Sequence, residues 1–239
     1  MPATSVGRRE LEHHVGQLLA LTPRANELLA DLALAEEMRH EYATVGFVKV
    51  ADVLAPDALT HFVKHLLAVL GPMAELVTTR HEPGLNETLS DGLRFRRVDP
   101  ARIRDPIARE VTTRTLEELG LYEFGAQLGA RITPLIRRIV GPVGYRRIYF
   151  YIYEEGDYIC AHNDHQVGNR VDIQFPVALE TVAGVRVLSD GLFRMHYDSA
   201  GSMNVLGPRV WHDVPPLLRG MSGATPQRLN IGLRFTPDA

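Results

Sequence analysis

Several things are scarce in this chain of 239 residues, and each scarcity excludes something. There is one cysteine, Cys160, so an internal disulfide is impossible and a reducing, cytoplasmic compartment is expected. Long apolar runs are missing. The longest candidate, Leu66 to Leu70, is far too short to cross a bilayer, so no membrane partner is expected. The first ten residues, Met1 to Glu10, are polar and lack the apolar core of a secretion signal. Excess positive charge is absent too. The formal net charge is −3, which gives no electrostatic reason to expect a nucleic-acid partner. No internal repeat or low-complexity linker is visible, and the length suits one large domain spanning 1–239.

What is present changes character partway along. The first part, 1–143, reads as helical support with a long loop. Leu11, Val15, Leu18 and Leu19 recur at helical spacing, and Leu28, Leu29, Leu32 and Leu34 continue the pattern after Pro23. A short strand-like run, Thr44 to Val50, follows. A helix after Asp57 then carries Leu59, Phe62, Val63, Leu66, Leu67 and Leu70 and stops at Gly71-Pro72. Thr79 to Pro106 is rich in Gly, Pro, Arg and Asp and reads as a loop. Ala108 to Val140 reads as a third helical region.

From 144 to 236 the pattern is that of short strands. Arg146 to Tyr153 alternates, with Tyr149, Tyr151 and Tyr153 on one face and Ile148, Phe150 and Ile152 on the other. Val171–Leu179, Val185–Leu188, Leu192–Tyr197, Ser202–Leu206 and Arg228–Phe235 are also strand-like, with glycine-containing turns between most of them. Strands this short and regular predict a sandwich or barrel, with the N-terminal helices packed outside a mainly β core in an α+β fold.

His162-Asn163-Asp164 sets an imidazole and a carboxylate two positions apart, on one face if the segment is a strand. An isolated His-x-Asp carries little weight, and the chain has a second, His196-Tyr197-Asp198. A third ligand separates them. His212 lies far enough beyond Asp164 for about four short strands before the chain returns to the same ion. It is too near Asp198 for that. The second pair is therefore read as polar strand surface, with His196 near the pocket as the alternative. Two histidines and one carboxylate form the facial triad of non-haem Fe(II) oxygenases, which leaves positions open for co-substrate and O2. The same three ligands would also hold catalytic Zn(II). His165 is a further candidate, on the opposite strand face.

The last strand reads Arg228-Leu-Asn-Ile-Gly-Leu-Arg-Phe235. Arg228, Asn230, Gly232 and Arg234 share one face, and Leu229, Ile231, Leu233 and Phe235 the other. Either the polar face is solvated, or it lines a barrel interior. In the second case Arg228 would meet a carboxylate through its planar fork.

In this order, His162-x-Asp164, His212 and Arg228 resemble the Fe(II)/2-oxoglutarate dioxygenase superfamily. Arg228-x-Asn230-x-x-x-Arg234 is similar to the closing motif of the AlkB demethylases. Tyr153-x-x-Gly156, followed by His162, resembles both AlkB and the prolyl 4-hydroxylases. Tyr151 departs from the AlkB pattern, where Asn is usual, and Gly232 stands where Thr is usual. The resemblance implies a double-stranded β-helix (jelly-roll, cupin-like). It implies iron on His162, Asp164 and His212, with 2-oxoglutarate held by Arg228, Tyr153, Asn230, Arg234 and Tyr151. The reaction implied consumes O2 and 2-oxoglutarate, releases succinate and CO2, and oxidises a substrate. Asp164 favours hydroxylation or another oxidation over halogenation, since related halogenases have Gly or Ala there. A small-molecule substrate, such as an amino acid or biosynthetic intermediate, is the leading expectation; an AlkB-like nucleic-acid demethylase and a non-catalytic cupin-like binding protein are the alternatives. Pocket-rim candidates are 79–100, with Arg94, Arg96 and Arg97, and Asp157 to Val171, with Tyr158; Trp211, beside His212, is expected near the iron. Cys160, on the strand face of His162, is read as a small buried filler.

Overall fold

The computed structural model describes residues 13–79, 92–164, 170–220 and 223–238. Five helices and eleven strands are numbered here after a helical stretch at 13–19. They are α1 (Pro23–Ala30), α2 (Leu32–Val45), β1 (Phe47–Val50), α3 (Pro56–Leu70), β2 (Glu75–Thr79), β3 (Leu93–Val98), α4 (Pro106–Glu118), α5 (Leu121–Val140), β4 (Val143–Tyr153), β5 (Tyr158–His162), β6 (Val171–Leu179), β7 (Gly184–Ser189), β8 (Leu192–Tyr197), β9 (Met203–Leu206), β10 (His212–Val214) and β11 (Gln227–Pro237).

The strands follow one hydrogen-bonded path, β1-β9-β6-β11-β4-β3-β5-β10-β7-β8, with β2 added on β3. Every pairing is antiparallel. This order of long-range antiparallel pairs forms the jelly-roll double-stranded β-helix that the sequence predicted.

Period-two alternation divides the sheet into an outer apolar face and an inner polar one. Ile148, Phe150 and Ile152 of β4, and Leu229, Ile231, Leu233 and Phe235 of β11, join a core with the helices. α5 supplies Phe124, Leu128, Ile132, Leu135, Ile136 and Ile139 to that core at helical spacing. Gly125 and Gly129 bring α5 close to β4: a Cβ at either would fall 2.6–2.8 Å from Tyr145 or Ile148. The two glycines thus fix how near the helix lies to the central strands.

Two expectations need correction. The stretch read as a loop from Thr79 to Pro106 contains β3, which pairs with β2, β4 and β5. Its arginines conceal a strand that buries one residue on each face, Phe95 and Val98. Residues 80–91 of that stretch lie outside the described residues. The third helical region is two helices, broken where Gly120 takes a left-handed φ of 68°. Among the described residues, no helix is long and apolar enough to cross a membrane.

Candidate metal centre

β5 and β10 bring the histidines together. His162 ends β5, His212 opens β10, and the two are direct register partners. Their ring centroids lie 4.3 Å apart. Asp164 follows two residues past the end of β5. One potential ligand atom from each of the three residues falls within 4.8 Å of the others.

The backbone settles which imidazole nitrogen is free. His162 Nδ1–H donates to the Cys160 carbonyl at 2.9 Å, and His212 Nδ1–H donates to the Val210 carbonyl at 3.0 Å. In this tautomer both rings carry their lone pair on Nε2, which suits a metal ligand. Burial and the neighbouring His212 hold the His162 imidazole down at about 4, so it is neutral at ordinary pH. Burial alone would raise the Asp164 carboxyl; His212, Arg170 and His162 outweigh it and hold the group below its ordinary range. His162 and Asp164 are therefore held in the protonation states that suit a metal site.

Around them lies a cavity of about 380 Å³. Its wall includes the three ligands, Tyr149, Tyr151 and Tyr153 of β4, Phe95 and Arg97 of β3, Asp172 and Gln174 of β6, and Asn230 of β11. The polar face of β11 thus points into the barrel rather than into solvent. Arg228, Asn230 and Gly232 pair with Tyr153, Tyr151 and Tyr149 in turn. A Cβ on Gly232 would sit 2.1 Å from the Tyr149 ring. That contact explains why a larger residue such as Thr is absent here.

Two buried ion pairs flank this row. Arg234 Nε and Nη2 lie 2.8 and 3.2 Å from the two Asp172 carboxylate oxygens, and its guanidinium lies 5.1 Å from the Tyr149 ring centre. Arg228 Nε and Nη2 reach Asp198 at 2.6 and 3.3 Å, and both side chains are 1% exposed. Burial opposes the Arg228 charge, yet Asp198 and Tyr153 hold it firmly protonated. Arg228 lies 4.9 Å from the Tyr153 ring centre and is not itself among the lining residues. Among the described residues, Arg228 Nη1 and Asn230 Oδ1 are buried without a hydrogen-bond partner.

The structure redraws the rim. Arg94 and Arg96 leave β3 on the side away from the cavity, where Arg94 pairs with Asp157 at 2.9 Å and Arg96 with Glu154 at 2.8 Å. Neither lines the cavity, nor do Tyr158 and Trp211. Tyr158 is the register partner of Arg94, and Trp211 precedes His212, so each faces the other way. Arg97, in phase with Phe95, does line it. Cys160 lines it too and is half-buried rather than buried. Asp198 is not strand surface but the buried partner of Arg228, while His196 packs its ring 4.4 Å from that of Phe47. Arg170 and Asp172, which the sequence reading did not single out, join the metal carboxylate to the sheet: Arg170 Nη2 lies 2.6 Å from Asp164 Oδ1. His165 lies outside the described residues.

No protein-family model and no curated protein matches the sequence. Solved structures do match the architecture. The non-haem α-ketoglutarate-dependent epimerase SnoN, from nogalamycin biosynthesis, aligns with a TM-score of 0.57 at 16% identity, over 87% of this chain and 82% of its own. Its complex with Fe3+, α-ketoglutarate and nogalamycin RO aligns with a TM-score of 0.52 at 16% identity, over 87% and 85%. HygX from Streptomyces hygroscopicus, with nickel, 2-oxoglutarate and hygromycin B bound, aligns with a TM-score of 0.50 at 14% identity, over 84% and 86%. The fold of this chain is that of the Fe(II)/2-oxoglutarate oxygenases.

Proposed function

We propose that the protein is an Fe(II)- and 2-oxoglutarate-dependent oxygenase acting on a small molecule. The carrying observation is the convergence of His162, Asp164 and His212 inside the mouth of the barrel. Two imidazoles and one carboxylate suit Fe(II) and leave coordination positions open. When bound there, iron with 2-oxoglutarate and O2 supplies an oxidant, with succinate and CO2 as by-products.

The chain's own residues do the rest. His162 and His212 present Nε2, because their Nδ1–H groups are tied to backbone carbonyls. The far carboxylate of the co-substrate is assigned to the inner face of β11 and β4, with Arg228 as its cation. Arg228 Nη1 is a buried donor without a hydrogen-bond partner, behind Tyr153, and Asn230 offers an amide on the cavity wall. A buried donor without a partner is costly, and a carboxylate would satisfy it. Arg234 is spent on Asp172 and is assigned a supporting role. Tyr151 and Phe95 pack against each other at 4.8 Å and shape an apolar wall over the site. The cavity suits a small molecule, and both SnoN and HygX have been crystallised with small molecules of their own.

The test is anaerobic addition of Fe(II) and 2-oxoglutarate, which should produce a weak visible charge-transfer band. Admitting air should then release succinate, faster when a true substrate is present. A colourless mixture that yields no succinate would sink the assignment.

A further inference from the structure

We infer that Arg170 is a positioning residue that fixes how Asp164 meets the metal, an inference that rests on the proposed metal site. Asp164 lies beyond the end of β5, so no strand ladder orients it. A carboxylate so placed has rotational freedom, and both its oxygens can turn toward an ion. Arg170 removes that freedom. Its Nη2 sits 2.6 Å from Asp164 Oδ1, which leaves Oδ2 as the oxygen that Arg170 does not engage.

Arg170 is itself held. Its side chain is 9% exposed, and its Nε lies 3.1 Å from Asp172 Oδ2, close enough for an ion pair though poorly aligned for a hydrogen bond. Asp172 belongs to β6 and receives the fork of Arg234 from β11. β6 and β11 are neighbours in the middle of the sheet, matched in register from Gln227 to Phe235. The series Asp164, Arg170, Asp172, Arg234 therefore runs from a residue beyond the strand end to two paired strands in the middle of the sheet. Its charges alternate and cancel, so none of the four is buried uncompensated.

A purely structural ion pair would predict only a loss of stability when broken. A positioning role predicts a loss of metal affinity in a protein that remains folded. Partners that hold metal-ligating carboxylates commonly contribute about 10–100-fold in metal affinity.

The experiment is titration of the metal-free protein with Mn(II), reading free Mn(II) by electron paramagnetic resonance, with thermal melts run alongside. Arg170→Gln should weaken Mn(II) binding by about 10-fold or more. Arg170→Lys should recover part of that loss, because one ammonium N–H can still reach Oδ1. Arg219→Gln, which breaks only the exposed pair with Glu155, should match wild type. The inference is overturned if Arg170→Gln binds Mn(II) within about twofold of wild type. It is also overturned if Arg170→Lys shows the full loss, or if affinity falls only as far as melting does. Failure of the wild-type protein itself to bind Mn(II) would instead overturn the proposed metal site.

Discussion

His162-Asn163-Asp164 and His196-Tyr197-Asp198 have the same spacing and lie in or beside strands of one sheet, yet they do different work. In the first pair, histidine and carboxylate both turn toward His212 and share a cavity. In the second they part. His196 packs on Phe47, while Asp198, just past the end of β8, turns inward to Arg228. The difference comes from what stands opposite. β5 runs beside β10, whose first residue is a histidine; β8 runs beside β7, which offers His196 only Val185 as register partner. The same tripeptide pattern becomes a candidate ligand pair or a counter-ion according to the neighbouring strand.

The largest effects should come from the first pair. Replacing His162 or His212 by Ala should lower Mn(II) affinity by more than about 100-fold, because each removes a ligand outright. His196→Ala should leave it within about twofold. A calorimetric titration of the three variants decides this, and equal losses would break the distinction between the two motifs.

The second pair should show itself in stability instead. Asp198→Ala leaves a fully buried guanidinium without its carboxylate, a change that typically costs about 3–5 kcal/mol. Asp190→Ala breaks an exposed pair with Arg194 and should cost under about 1 kcal/mol. Urea unfolding of the metal-free protein measures both. If Asp198→Ala proves as mild as Asp190→Ala, the pair with Arg228 carries no weight in the fold.

The same contrast marks what could be read from the sequence. Alternation on β4 and β11 was legible because every second residue there is strongly apolar; it put Arg228, Asn230 and Arg234 on one face and left open whether that face met solvent or the barrel interior. The ligands were legible as an ordered series, His162, Asp164, His212. β3 was not, because its cavity-facing Phe95 and Arg97 are interleaved with Arg94 and Arg96, and three charged residues in six look like a solvated loop. Once β3 is known to be a strand, period two alone separates Arg97 from its neighbours. Asp198 and Arg170 were illegible for a different reason. Their roles come from partners, Arg228 and Asp164, chosen by three-dimensional pairing, and nothing in the local pattern distinguishes a buried counter-ion from a surface charge.

The smallest predicted effect sharpens the comparison through pH. Burial and His212 hold the His162 imidazole at about 4 in the folded, metal-free protein, against an ordinary value near 6.5. Between those two values the unfolded chain binds a proton that the folded chain refuses. Stability from this residue is therefore complete above about 6.5, falls as pH drops toward 4, and falls no further below that. Asp164 is depressed instead, so its contribution is kept above the ordinary carboxylate range and lost only at lower pH, outside this window. Urea midpoints at several pH values between 4 and 7, for wild type and His162→Ala, isolate the histidine by difference. The variant should lose less stability on acidification than wild type. Parallel curves would mean that His162 is not held neutral by its surroundings.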